Sequence, residues 1–131
     1  MLDWNNRSEG DNPDEGDRVL VKCKDGNYVI GRYANGAVYD WYSAHWDFYE
    51  WLLVNDSMIM PGAEVICVDC DRTYLGILTE IVVPSGCCTV FDGEKMEITT
   101  TSHVCPTGNM YYDFVEAFNC LKKNINKYKL D

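Results

Sequence analysis

The dipeptides Asp25-Gly26, Asn35-Gly36 and Asp92-Gly93, each set between short runs of apolar and β-branched residues, constrain this chain more than any other feature. Asn-Gly and Asp-Gly accept the positive φ angles of a tight two-residue turn, so they specify hairpins and limit the strands beside them. Arg18-Val19-Leu20-Val21-Lys22-Cys23 should pair with Tyr28-Val29-Ile30-Gly31-Arg32-Tyr33, and the latter with Ala37-Val38-Tyr39-Asp40-Trp41-Tyr42. The product is a three-stranded meander. Tyr49 to Val54 is rich in β-formers and supplies a fourth strand, with a short helix over Ala44 to Leu53 as the competing assignment.

A second run opens at Pro61-Gly62-Ala63-Glu64-Val65-Ile66 and continues through Tyr74-Leu75-Gly76-Ile77-Leu78 to Val83. It echoes the first. Gly16-Asp17-Arg18-Val19-Leu20 aligns with Gly62-Ala63-Glu64-Val65-Ile66 at an offset of 46, and Val29-Ile30-Gly31 with Tyr74-Leu75-Gly76 at an offset of 45. Cys87 to Phe91 and Met96 to Thr101 form a further hairpin across Asp92-Gly93. The tail then changes period. Tyr111, Phe114, Val115, Phe118, Leu121, Ile125 and Tyr128 recur at three and four, which predicts a helix over 109–129. Asn109 would be its N-cap, Asp113 would favour the first turn, and Lys122, Lys123, Lys127 and Lys129 would suit its end. The expected organisation is an acidic leader over 1–15, β units over 16–54 and 61–105, and the helix. Together they form one compact unit of mainly β, α+β class, in which two small antiparallel SH3-like meanders pack together.

Charge narrows the partners. The 131 residues carry a formal net charge of −10. Asp3, Glu9, Asp11, Asp14, Glu15 and Asp17 face Arg7 alone in the first 17 residues, and residues 40–97 hold eleven carboxylates against Arg72 and Lys95. Counterion release rewards Lys and Arg, so direct binding of nucleic acid is not expected, and a basic protein surface is the better partner. No apolar run approaches the roughly 18 residues of a membrane span. Met1-Leu2-Asp3-Trp4-Asn5 has neither the basic nor the apolar region of a secretory signal, so a cytoplasmic location is expected.

Seven cysteines in a reducing compartment read as free thiols. Cys67, Cys70, Cys87, Cys88, His103 and Cys105 are the only cluster with metal-ligand chemistry. Cys67 and Cys70 lie three apart in an extended run, where side chains point to opposite faces, which argues against zinc. We therefore expect no cofactor, and a structural zinc module stands as an alternative only. His103 and Cys105 lack a third member for nucleophilic catalysis, and Asp69 and Asp71 read as a solvated strand face. No phosphate-cradling loop, nucleophile elbow, zincin or calcium motif is present, so no enzyme is expected.

Trp41, Tyr42, Trp46, Phe48, Tyr49 and Trp51 fall within eleven residues, and alternation must send some of them outward. With Asp40, Asp47 and Glu50 interleaved, they form an aromatic patch rimmed by carboxylates, as protein interfaces do. The expected partner-binding set is Asp40, Asp47, Glu50, Asp69, Asp71, Asp92 and Glu94, with Trp46 and Trp51 as apolar anchors. The Tyr111-Tyr112 pair is the candidate contact for a homodimer.

Trp4, Pro13-Asp14-Glu15-Gly16, Val19-Leu20-Val21, Gly31-Arg32-Tyr33 and His45-Trp46 or Trp51 together resemble a family of short phage and prophage proteins without established function. That family ends its pattern on Pro-Leu-Pro, which is absent here, since Trp51 runs into Leu52-Leu53-Val54. The resemblance covers residues 1–54 and implies a mobile-element origin, hence the cytoplasm of an infected or prophage-carrying bacterial cell. The expected function is a non-enzymatic inhibitor that occupies the basic groove of a host nucleic-acid-handling defence protein, as a DNA mimic or an anti-CRISPR protein would. DNA carries a charge every ~1.7 Å of axis, so the mid-chain acidity matches only a short stretch of duplex. The alternative is a nucleotide sponge or sensor with an aromatic pocket lined by Arg18, Arg32 or Arg72.

Overall fold

A computed structural model describes residues 2–128 and 130, and the chain divides into two compact units that part between Val54 and Asn55. Both units are antiparallel sheets. The first holds β1 (Asn5–Asn6), β2 (Arg18–Cys23), β3 (Tyr28–Ala34), β4 (Ala37–Tyr39), β5 (His45–Trp46) and β6 (Phe48–Leu53), in the order β1-β6-β2-β3-β4-β5. The second holds β7 (Ala63–Val68), β8 (Thr73–Val82), β9 (Cys87–Phe91), β10 (Met96–Thr100) and β11 (Val104–Met110), in the order β10-β9-β8-β7-β11, followed by α1 (Phe114–Tyr128). In each unit four strands meander and a fifth returns to pair with the first.

The sequence echo is a structural repeat. Val19 pairs with Gly31 and Val65 with Gly76, so the aligned residues hold the same register position. The Gly16 amide donates to the Tyr33 carbonyl and the Gly62 amide to the Leu78 carbonyl, both at 2.8 Å. The fifth strands also match, with Val21 opposite Trp51 and Cys67 opposite Val104. At the crossing both units need glycine. A Cβ on Gly31 would lie 2.2 Å from the Tyr39 carbonyl oxygen, and one on Gly76 would lie 2.3 Å from Val90 Cγ1 and 2.8 Å from the Phe91 carbonyl oxygen. Close passage of the next strand leaves no room for a side chain at either glycine.

Alternation fills that face. Val19, Val21, Cys23, Tyr33, Val38 and Phe48 form the core of the first unit, with Val29, Trp46 and Trp51 packed against it. Ala63, Val65, Cys67, Tyr74, Leu78, Cys88, Val90 and Val104 form that of the second. On the outer face of the second sheet Ile66, Leu75 and Ile77 are also buried, and α1 supplies the fully buried Ala117 and Leu121, with Phe118 and Phe91 rings 4.4 Å apart.

Several boundaries differ from the sequence reading. The helix begins at Phe114, not at 109 or 110, because β11 stays paired to β7 as far as Met110 opposite Ala63, and the Tyr111 amide still donates to the Gly62 carbonyl. Asp113 takes the capping role assigned to Asn109, its Oδ1 accepting from the Val115 amide at 2.8 Å. Residue 129, the expected helix end, lies outside the described residues. Ala44 to Leu53 is two strands rather than a helix. The leader is more than a solvated tail. Asn5 and Asn6 pair with Trp51 and Glu50, Pro13 is buried, and Arg7 lies 4.5 Å from the centre of the Phe48 ring, closing the end of the first core.

Gly31→Ala and Gly76→Ala force a methyl group into a neighbouring strand, and overpacking of this kind costs about 1–3 kcal/mol. Urea midpoints should fall for both variants; an unchanged midpoint in either would refute the crossing geometry.

Candidate functional site

The loop joining β4 to β5 is built on one carboxylate. Asp40 Oδ1 accepts from the Tyr42 amide at 2.9 Å and the Ala44 amide at 3.0 Å, while Oδ2 accepts from Trp46 Nε1 at 2.9 Å. Ser43 takes a left-handed backbone with φ 63°, and its amide returns to the Asp40 carbonyl at 3.0 Å. Three donors on one side chain hold the loop in a single shape, which turns Trp41 and Tyr42 outward at 81% and 84% exposure. The matching loop of the second unit uses the same device, since Asp92 Oδ1 accepts from the Glu94 and Lys95 amides, each at 2.9 Å. It carries Gly93-Glu94 where the first carries Trp41-Tyr42. The hairpin therefore does not require the aromatics.

The structure distributes the expected binding residues between the units, with Asp40, Trp46, Asp47, Glu50 and Trp51 in the first and Asp69, Asp71, Asp92 and Glu94 in the second. Trp46 and Trp51 are not free anchors. Both are half-buried against the core, Trp46 held by Asp40 and Trp51 by its Nε1 bond to the Asp11 carbonyl at 2.9 Å. Their alternation with Glu50 and Asp47 sends them inward, and the loop residues before them take the outward role. Asp47 is exposed and bridges to Lys24 at 3.0 Å; the Lys24 ammonium holds its carboxyl below the usual range. Glu50 is half-buried opposite Lys22.

In the second unit the Asp92 side chain is 4% exposed and meets Arg72 at 2.5 Å. Burial alone would raise its carboxyl, but the guanidinium and the two loop amides outweigh it and hold it below the ordinary value. Arg72 also reaches Glu97 at 3.3 Å and stacks 4.1 Å from the Tyr74 ring centre. Asp92 is thus a structural ion-pair member. Asp71 and Glu94 are exposed, and Asp69 is half-buried at the β7–β8 turn. Arg18 and Arg32 are direct partners across β2 and β3, and Arg72 lies in the other unit, paired with Asp92.

The cysteine cluster is dispersed. Cys67, opposite Val104, and Cys105, opposite Ile66, face opposite sides of the second sheet; Cys88 is buried, while Cys70, Cys87 and His103 are exposed. Among the described residues no group of three or more His, Cys, Asp or Glu side chains is placed to hold a metal. Burial pushes the thiols of Cys23 and Cys88 up to about 11 and that of Cys67 higher still.

One polar site escaped the sequence reading. Glu64 is fully buried beneath α1. Its Oε1 accepts from Thr107 Oγ1 at 2.8 Å and Asn109 Nδ2 at 3.0 Å, and its Oε2 from Asn124 Nδ2 at 2.7 Å. Asn109 Nδ2 also donates to the Tyr128 hydroxyl at 3.2 Å, and these side chains line an open cleft of about 320 Å³. Burial first, and then the Glu64 carboxylate, raise the Tyr128 hydroxyl above its usual value. The available signal was Asn124, a polar residue amid the apolar stripe of Leu121 and Tyr128. With three side-chain donors converging on the Glu64 carboxylate, the arrangement clasps the helix to the sheet.

Comparison with known proteins finds no match, whether to family models, curated proteins or solved structures.

Three outcomes follow for this chemistry. A thiol reagent at pH 8 should modify Cys70 and Cys87 rapidly and leave Cys23, Cys67, Cys88 and Cys105 protected until unfolding; fast labelling of all seven would contradict the burial pattern. The fold favours protonated Tyr128, so that contribution is complete below the usual tyrosine value of ~10 and is lost as pH rises through the folded value. Tyr128→Phe should flatten the alkaline limb of the stability curve. Glu64→Gln, which turns an acceptor into a donor facing donors, should cost about 1–3 kcal/mol at neutral pH; wild-type stability in this variant would disprove the clasp.

Proposed function

We propose that this protein is a non-enzymatic, acidic binding protein of mobile-element origin that occupies the basic, nucleic-acid-binding surface of a host defence protein. The observation that carries this reading is the Trp41-Tyr42 tip, two exposed aromatic side chains on a loop fixed by Asp40. Rigid, exposed aromatics give contact area at little entropic cost and dominate interface energetics. Charge supplies the rest. Residues 1–54 hold ten acidic against five basic side chains and residues 55–131 eleven against six, so each part carries −5. Such a surface steers a basic partner and repels competing anions. Asp47, Asp71 and Glu94 are the exposed members of the expected carboxylate set and belong to the rim, while Trp41 and Tyr42 replace Trp46 and Trp51 as anchors.

Affinity capture from bacterial lysate, repeated with Trp41→Ala/Tyr42→Ala, tests this reading. A basic nucleic-acid-handling protein should be retained by wild type, with a dissociation constant raised about 30-fold in the variant, as for a hot spot of about 2 kcal/mol. Asp71→Lys should weaken binding less and flatten its salt dependence. Turnover of any substrate by the pure protein, or partners held equally by the variant, would refute it.

A further inference from the structure

A sheet edge offers its outward backbone groups to any other strand, and folded proteins blunt such edges with very short strands, proline, bulges or charge. Three of the four edges among the described residues are blunted in this way. β1 and β5, the edges of the first sheet, are two residues long each. β11, at one edge of the second sheet, carries Pro106 and a register irregularity between Pro106 and Met110. β10, at the other edge, is different. Met96 to Thr100 pairs with β9 in unbroken register and holds no proline. The Asp92 amide donates to the Lys95 carbonyl at 3.1 Å before the strand, and the Thr101 amide to the Gly86 carbonyl at 2.9 Å after it. Ladder bonds alternate between antiparallel strands, so Glu97 and Thr99 turn their backbone groups toward β9 as Lys95 and Thr101 do, while Met96, Ile98 and Thr100 turn theirs to the edge. Two of those three side chains are apolar and exposed, Met96 at 54% and Ile98 at 80%. They share the sheet face on which Phe91, the direct partner of Met96, meets Phe118. The one charge in the strand, Glu97, alternates to the opposite face and is held by Lys95 at 3.4 Å and Arg72 at 3.3 Å.

We infer that β10 pairs with β10 of a second copy of this chain, antiparallel about a two-fold axis at Ile98, so that two five-stranded sheets join edge to edge. The strand is complementary to itself in that register. Ile98 meets its own equivalent, Met96 meets the copy's threonine at position 100, and Glu97 meets the copy's threonine at position 99. All three outward positions then exchange both backbone bonds with the copy, about six bonds in all. The two isoleucines leave water as a cross-strand apolar pair. Charge excludes the neighbouring register. An axis at Glu97 would match outward backbone groups equally well, Met96 with Ile98, but it sets two glutamates directly opposite each other, which is destabilising. The contact is isologous and closes on itself, as two-fold dimers do. A formal net charge of −10 on each copy opposes it, and salt screens that repulsion. A strand from a basic partner would respond to salt in the opposite sense.

Sedimentation equilibrium of the full chain, joined to amide hydrogen exchange at residue resolution, tests the pairing. The protein should pass from monomer to dimer between micromolar and millimolar concentration, more readily at higher salt. Exchange at the Met96, Ile98 and Thr100 amides should slow about tenfold or more as the dimer forms. Ile98→Lys changes an exposed side chain, so the variant should keep its fold while its dissociation constant rises about 30-fold, as for a central interface residue. Tyr112→Ala should leave the dimer intact. A monomer at millimolar concentration, a dimer that survives Ile98→Lys, or one that forms without slowing those three amides would overturn the inference. So would a dimer that added salt dissociates. Trp41 and Tyr42 belong to the first unit, so capture of a host protein through them should be the same in Ile98→Lys as in wild type.

Discussion

Both units depend on one close crossing. At Gly31 and again at Gly76 the neighbouring strand passes through the space a Cβ would occupy. That approach leaves no room for a side chain at either position. Val19 and Val65 sit directly opposite the two glycines, fully buried. Everything outside the crossing is free to diverge, and the two units show where it has. The β4–β5 loop and its counterpart share an aspartate cap but differ in the residues it displays. The outer face of the second unit carries a helix clasped by Glu64.

The repeat separates what folding demands from what it leaves open. Glycine at the crossing, valine opposite it and aspartate at the loop recur because the backbone needs them. Trp41 and Tyr42 have no counterpart of the same chemistry. Exposed aromatic side chains such as Trp41 and Tyr42 add nothing to a core. A single chain thus shows twice which side chains the shared register requires.

Much of this was legible in sequence. The Asp25-Gly26, Asn35-Gly36 and Asp92-Gly93 turns, the alternation in Arg18–Cys23 and the offset between Gly31 and Gly76 gave two meanders and their boundaries to within a few residues. Three things were not legible. Asn109 has good capping chemistry, but strand pairing to β7 takes precedence through Met110, and only tertiary hydrogen bonds decide that contest. Trp46 and Trp51 could not be told from Trp41 as anchors, because the phase of alternation across Asp47 depends on an irregularity in the β2–β6 pairing between Lys22 and Cys23. The Glu64 clasp joins residues 43 to 60 positions apart, and no local pattern announces it.

The account rests on two units with one shared hydrogen-bond register, and residue-resolved amide hydrogen exchange tests this most directly. The Gly16 and Gly62 amides close equivalent bonds, to Tyr33 and to Leu78, and both should exchange far more slowly than the amides of the exposed Glu9 and Tyr112. Exchange at the unprotected rate for either glycine while the other is protected would show that the second unit does not repeat the first.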